Sequence, residues 1–259
     1  MATNERINLT NNTSLIEGDK QIDRGRTNAV ITGILFIVAT VAALAAAALQ
    51  PALSGADYLT GVAANASQVA GAVLLYLIAA FTSVGIAISL YPVLAKWNTG
   101  VALGSVVFRT IEAVMYIAAI VSLLSLLTLS QHIANAGAAD LASLQAIGDS
   151  LRSVRDHATL AGVIAFSLGA FMYYYLFFQS RLIPRWLASW GIIASVLMLA
   201  ACLLALFSDS PVTGYTLLIL PIAVQEMVLA VWLIVKGFNS SAIASASART
   251  ETNELLSAA

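Results

Sequence analysis

Along most of the chain, apolar residues come in long runs separated by short polar breaks, not in the mixed patches of a water-soluble domain. Six runs reach about twenty residues or more, the length an α-helix needs to cross a hydrocarbon layer. They predict helices over approximately Asn28–Leu49, Gln68–Tyr91, Val101–Leu129, Ala158–Phe178, Trp186–Phe207 and Tyr215–Val235. The breaks carry loop chemistry: Gln50-Pro51 after the first run, Lys96-Trp97-Asn98 after the second, Arg181 to Arg185 after the fourth and Ser208 to Pro211 after the fifth. The third run is longer than a crossing requires, which permits tilt or a protruding end. Residues 1–25 and 239–259 are polar, rich in Asn, Ser, Thr and Ala, and are expected to be disordered tails around a six-helix transmembrane domain over 26–238. Ala43–Ala48 resembles a signal-peptide cleavage region, but the apolar run is longer than an ordinary h-region and follows a long polar stretch. The first run is therefore kept as a span.

One long break, residues 130–157, has a pattern of its own. Leu141, Leu144, Ile147, Leu151 and Val154 recur at three- and four-residue spacing, with Asp140, Asp149, Arg152 and Asp156 between them. This predicts an amphipathic helix on the membrane surface or capping the bundle. The fold class is thus all-α, a polytopic transmembrane helical bundle. No internal repeat of broken helices is evident, which weakens an inverted-repeat transporter reading.

Composition agrees with the pattern. Of 259 residues, 60% are hydrophobic and 10% charged, and mean hydropathy is +0.89. A soluble domain is nearer one-quarter charged. A net charge of −1 with no basic stripe gives no footing for nucleic acid. Cys202 is the single cysteine and lies in an apolar run, so neither a disulfide framework nor a cysteine metal site is available. Lys and Arg set the orientation. Arg6, Lys20, Arg24, Arg26, Lys96, Arg181, Arg185, Lys236 and Arg249 fall on one side, Arg152 and Arg155 on the other, nine against two. Both termini are expected in the cytoplasm, with the protein multi-pass in the cell membrane and the bilayer its first partner.

Three charges break the rule that spans are apolar: Arg109 and Glu112 in the third, Glu226 in the sixth. Each costs about 3 kcal/mol or more at the bilayer centre unless it is paired or wet. Ser105, Arg109, Glu112 and Tyr116 follow spacings of four, three and four, so they line one helix face. Counted from the cytoplasmic ends at 1.5 Å per residue, Arg109, Glu112 and Glu226 lie roughly 12, 16 and 15 Å deep. Gln225 sits beside Glu226, and Pro221 frees the carbonyl near Leu217. These depths allow one cluster in which Arg109 bridges Glu112 and Glu226. With one guanidinium against two carboxylates, one carboxylate is expected to hold a proton.

Other residues carry weaker signals. His132 and His157 flank the loop helix with Asp140 and Asp156 nearby, the donor types of a metal site, although two histidines in a polar loop ordinarily ligate nothing. Tyr173-Tyr174-Tyr175, with Trp186 and Trp190, reads as an interfacial aromatic belt, with stacking on a quinone or lipid as the sharper alternative. Ala165 and Gly169, and Gly85 and Ser89, are spaced for close helix contact. No HExxH, P-loop, GxGxxG or nucleophile elbow occurs, and no span histidine exists for a bis-histidine haem. No catalytic residue and no cofactor are therefore assigned.

Three stretches are familiar together: Phe108-Arg109-Thr110-Ile111-Glu112-Ala113, Arg181-Leu182-Ile183-Pro184-Arg185-Trp186-Leu187, and Pro221-Ile222-Ala223-Val224-Gln225-Glu226-Met227 continuing through Val231-Trp232-Leu233-Ile234-Val235-Lys236-Gly237-Phe238. Their order and spacing resemble the bacterial membrane-protein family catalogued as domain of unknown function 4386, over about residues 25–238. The resemblance implies an integral membrane protein with an Arg and Glu on the third span, a basic Pro-Arg-Trp loop (Arg181, Pro184, Arg185, Trp186) and a Gln-Glu pair on the last span. It carries no activity with it. Three functions follow as expectations. The first is a non-enzymatic membrane protein whose cluster locks the bundle or binds a lipid, a small-molecule ligand, a partner subunit or a second copy. The second is a small-solute or proton-coupled transporter working through Arg109, Glu112 and Glu226, with a cavity reaching them from the cytoplasm. The third is an intramembrane enzyme with a metal near His132 and His157.

Overall fold

The computed structural model describes residues 2–55, 57–133, 138–208 and 211–246. Its elements are α1 (Ala2–Leu49), α2 (Tyr58–Ala64), α3 (Ala66–Leu94), α4 (Thr99–Ile133), α5 (Ala138–Ser180), α6 (Arg185–Ser208) and, after a 3-10 turn at Val212–Tyr215, α7 (Thr216–Val235). Six segments are long and apolar enough to cross a membrane, and they match the six sequence-predicted spans. Each packs on its neighbour in the chain, and α7 packs back on α1, so the spans close into a ring in sequence order. Short connections make successive helices antiparallel, which puts both ends of the described chain at the same end of the ring, here called the terminal end.

The surface of this ring is apolar. Leu74, Phe81, Val114, Val121, Ile193 and Val231 are all exposed around its perimeter. Helices satisfy their own backbone groups, so such a surface is stable in lipid and not in water. The protein is an integral membrane protein. Its main core lies at the terminal end, where Phe36, Leu90, Tyr173, Phe177, Leu187 and Leu229 interlock. α7 remains helical through Pro221.

Two sequence expectations change at the ends. The loop helix does not lie separately on the surface: it is the first part of α5, a continuous helix of 43 residues, about 65 Å long. Its apolar stripe faces the bundle only in part: Leu141, Ile147 and Val154 are exposed, while Leu144 and Leu151 are half-buried. The face turned inward carries Gly148, Leu151, Arg152 and Arg155. Leu151 packs with Tyr58, Leu59 and Leu126, and a Cβ on Gly148 would lie 2.6 Å from the Tyr58 hydroxyl. Arg152 donates to the Leu53 carbonyl at 3.0 Å, and Arg155 to Gln50 Oε1 at 2.8 Å. Because α2 and the α1–α2 loop claim that face, the helix stays upright. Burial pushes the Tyr58 phenol up to about 12, helped by the neighbouring Asp149.

At the other end, α1 is helical from Ala2, upstream of the predicted start at Asn28. Residues 240–246, placed in the C-terminal tail by the sequence, are also helical, with Ala242, Ile243 and Ala246 buried. Just past the end of α7 stands Gly237, whose φ of +73° suits glycine. Any Cβ there would come within 2.9 Å of Arg26 Nη1. Arg26 donates through Nη1 to the Leu233 carbonyl and through Nη2 to the Ile234 carbonyl, at 3.4 and 2.7 Å. A basic residue read only as an orientation signal thus caps the last span. Met1 and residues 247–259 of the expected tails lie outside the described residues.

Candidate functional site

The polar residues of the third and sixth spans converge inside the ring. Arg109, Glu112, Gln225 and Glu226 are 2, 3, 0 and 9% exposed, so none is solvated from the lipid side. Arg109 Nη1 lies 3.1 Å from Glu112 Oε2, the i, i+3 pair that the spacing predicts. Ser83 of α3 donates to the same carboxylate oxygen at 2.9 Å. The Arg109 guanidinium sits over the Phe166 ring of α5, 4.6 Å from its centroid, a contact that favours a cation where water is absent. Its Nε and Nη1 are buried without a hydrogen-bond acceptor; the Glu112 contact is an ion pair lacking hydrogen-bond alignment.

Glu226 belongs to the other half of the cluster. Tyr173 of α5 donates to Glu226 Oε1 at 3.3 Å. Tyr174 donates to Gln225 Oε1, and Gln225 Nε2 donates to the Leu187 carbonyl of α6 at 3.2 Å. The expected direct bridge from Arg109 to Glu226 is absent. Among the described residues the ion pairs are Arg109–Glu112 and Arg155–Asp156. Arg109 and Glu226 still feel each other electrostatically, with Tyr173 beside both.

The tyrosine run is therefore not a belt. Tyr173 and Tyr174 are fully buried core residues, and Tyr175 alone of the three is exposed. Gly191 makes room for Tyr174, since a Cβ there would fall within its ring. Ser105, predicted with the cluster, bonds instead to the Ala102 carbonyl of its own helix at 2.8 Å. Tyr116 is half-buried against Gly162 and marks the floor of a cavity of about 250 Å³. That cavity opens at the end opposite the termini, between Arg155, Asp156 and Pro211, and descends past Tyr76 and Ala119. It ends one helical turn short of Glu112. A path from the terminal end was expected; the cavity instead comes from the other side, because Tyr173, Tyr174 and Phe177 fill the interior below the cluster.

Sequence reasoning missed Ser83, Phe166, Tyr173 and Tyr174. Ser83 was within reach: eleven residues before the end of α3, it lies about 16 Å deep, level with Glu112. The tyrosines carried no signal separating core from belt.

The basic loop takes a defined form. Arg181 adopts a φ of 55°, Arg185 lies over the Phe178 ring at 5.2 Å, and Trp186 meets Trp232 edge-on at 6.5 Å. Pro184 turns the chain into α6, its carbonyl accepting from Leu187 and Ala188. His132 is exposed, and His157 Nδ1 faces Ser153 Oγ at 3.3 Å. Among the described residues no group of three or more His, Cys, Asp or Glu side chains is placed to hold an ion. The Asp140 side chain lies outside the described residues.

No curated protein and no solved structure matches the chain. The family described as Domain of unknown function (DUF4386) matches residues 31–237, which takes in the ring, the buried cluster and the basic turn. The chain belongs to that family.

Proposed function

We propose that this is a non-enzymatic protein of the cell membrane, with both termini cytoplasmic, whose buried polar network holds the six spans in one arrangement. The observation that carries this reading is the direction of the contacts: apart from the Arg109–Glu112 pair within α4, they join different helices. Ser83–Glu112 ties α3 to α4, Arg109–Phe166 ties α4 to α5, Tyr173–Glu226 and Tyr174–Gln225 tie α5 to α7, and Gln225–Leu187 ties α7 to α6. Apolar helices slide and rotate against one another at little cost in lipid, whereas a buried polar pair has one low-energy register.

A second reading, a proton or small-solute carrier, is favoured by a specific feature. The cavity floored by Tyr116 stops one turn from Glu112, and Arg109 holds two buried donors without acceptors. Vesicles containing the purified protein and an entrapped pH-sensitive dye separate the two readings. The locking role predicts that an imposed pH step decays as in protein-free vesicles, for the native chain and for Glu226→Gln alike. Faster decay in the native protein, lost in Glu226→Gln, would overturn it in favour of the carrier.

A further inference from the structure

Away from the cluster, the terminal end of the ring holds a cleft of about 560 Å³ between the Arg181–Arg185 turn and the end of α7. Its ionisable lining is cationic throughout: Arg181, Arg185 and Lys236, with no carboxylate among the lining residues. All three side chains are exposed. Directly beside it, a shallow trough of about 480 Å³ runs along the outer face of α7 from Val224 past Val228 and Val231 to Val235. Trp232 and Lys236 line both cleft and trough, so the two are continuous. From Val224 to Lys236 is twelve residues, about 18 Å of helix. That is about one leaflet of a hydrocarbon core roughly 30 Å thick.

We propose that the cleft and trough together bind one anionic phospholipid, its phosphate against Arg181, Arg185 and Lys236 and one acyl chain along Val224–Val235. The chemistry is matched at both ends. Guanidinium groups present paired N–H donors to phosphate oxygens, and a lysine adds a mobile point charge. Between Val224 and Val235 the trough is lined by Val224, Met227, Val228, Val231 and Val235, with its polar groups, on Trp232 and Lys236, at the headgroup end. Trp232 stands at the junction, the depth at which indole rings settle between headgroups and acyl chains.

The cationic face is also held in place before any lipid arrives. The backbone amide of Asn239 donates to the Leu182 carbonyl at 2.9 Å and its side-chain amide to the Arg181 carbonyl at 3.4 Å, so the segment after α7 pins the turn. Arg185 is oriented by Phe178. Arg181 occupies the left-handed region, where glycine is the ordinary choice. A soluble phosphate would use the cleft alone. The position at the membrane boundary and the leaflet-long trough select a lipid.

The test is native mass spectrometry of the detergent-purified full chain, titrated with phosphatidylglycerol and, separately, phosphatidylcholine. The native protein is expected to take up one phosphatidylglycerol with about tenfold or greater preference over phosphatidylcholine. The triple variant Arg181→Gly, Arg185→Gln, Lys236→Gln is expected to lose that preference. Arg181→Gly keeps the backbone conformation accessible, and Lys236→Gln alone, at an exposed position, is expected to weaken the preference several-fold if the triple variant fails to fold. Filling the trough with Val231→Trp should weaken phosphatidylglycerol and leave glycerol 3-phosphate unaffected. Equal binding of the two lipids, a preference that survives loss of the three cations, or glycerol 3-phosphate binding as tightly as phosphatidylglycerol would each overturn the proposal. So would a dimer whose formation excludes phosphatidylglycerol and is broken by Val231→Trp, since α7 would then face a second copy.

Discussion

Arg109 shows how a residue that is costly by itself becomes tolerable in company. Removing its charge from water is offset by Glu112 on the next turn and by the Phe166 ring. Within α4 the pair neutralises itself, and the ties to other helices come from Ser83 on Glu112 and Phe166 under Arg109. Removing one partner leaves the other charge buried and bare, so Glu112→Ala should lower unfolding free energy by about 3–5 kcal/mol. Arg109→Met combined with Glu112→Leu removes both charges together and should recover most of that loss. Thermal unfolding in detergent checks both, and a double variant no more stable than Glu112→Ala would show that the charges do more than neutralise each other. The Arg109–Glu112 contact was legible in the sequence because helical geometry fixes i, i+3 neighbours without knowledge of the fold. The partner of Glu226 was not legible. Whether Tyr173 faces lipid or the interior depends on the rotation of α5 in the ring, and three consecutive tyrosines around a helix give no preference for one face.

Helices as units show the same limit from another side. Apart from the starts of α1 and α5, the ends of the spans were readable to within a few residues, since length and apolarity alone define them. The upright extension of α5 was not. Its periodicity announced a helix, but of the stripe Leu141, Ile147 and Val154 are exposed, and the packed face joins Leu151 to Gly148 and the stems of Arg152 and Arg155. α2 left almost no trace in the sequence: seven residues containing Thr and Gly look like a loop. The contact between these elements is pH-sensitive in a defined direction. Tyr58 carries a raised value in the folded protein, so the neutral phenol is the form the fold prefers. Its contribution is complete below the ordinary phenol range and is lost as pH climbs toward about 12. Melting temperature should therefore fall between about pH 10 and pH 12 in the native chain and fall less in Tyr58→Phe. Parallel curves for the two proteins would mean that the cap does not respond to this group.

As a whole molecule, the ring is packed differently toward its two ends. The cavity lined by Tyr76, Ala119 and Thr213 enters from the end opposite the termini, while packed aromatic rings fill the terminal end. If the termini are cytoplasmic, as proposed above, the cavity faces the outside of the cell. Water should then reach the middle of the membrane from outside and stop at Tyr116, above the charge cluster. Cysteine labelling measures that depth directly. In a Cys202→Ala background, which removes the native thiol, single cysteines replace Thr213 at the mouth, Ala119 on the wall and Ser105 below the cluster. A membrane-impermeant thiol reagent added to intact cells should label position 213 fastest, position 119 more slowly and position 105 not at all. Labelling of 213 and 119 only in inverted vesicles would reverse the orientation while keeping the cavity. Labelling at 105 together with 119 would mean that water passes Arg109 and Glu112. The network would then be a gate within a transport path, and the locking role would fall, because a register lock has no reason to be wet on both faces.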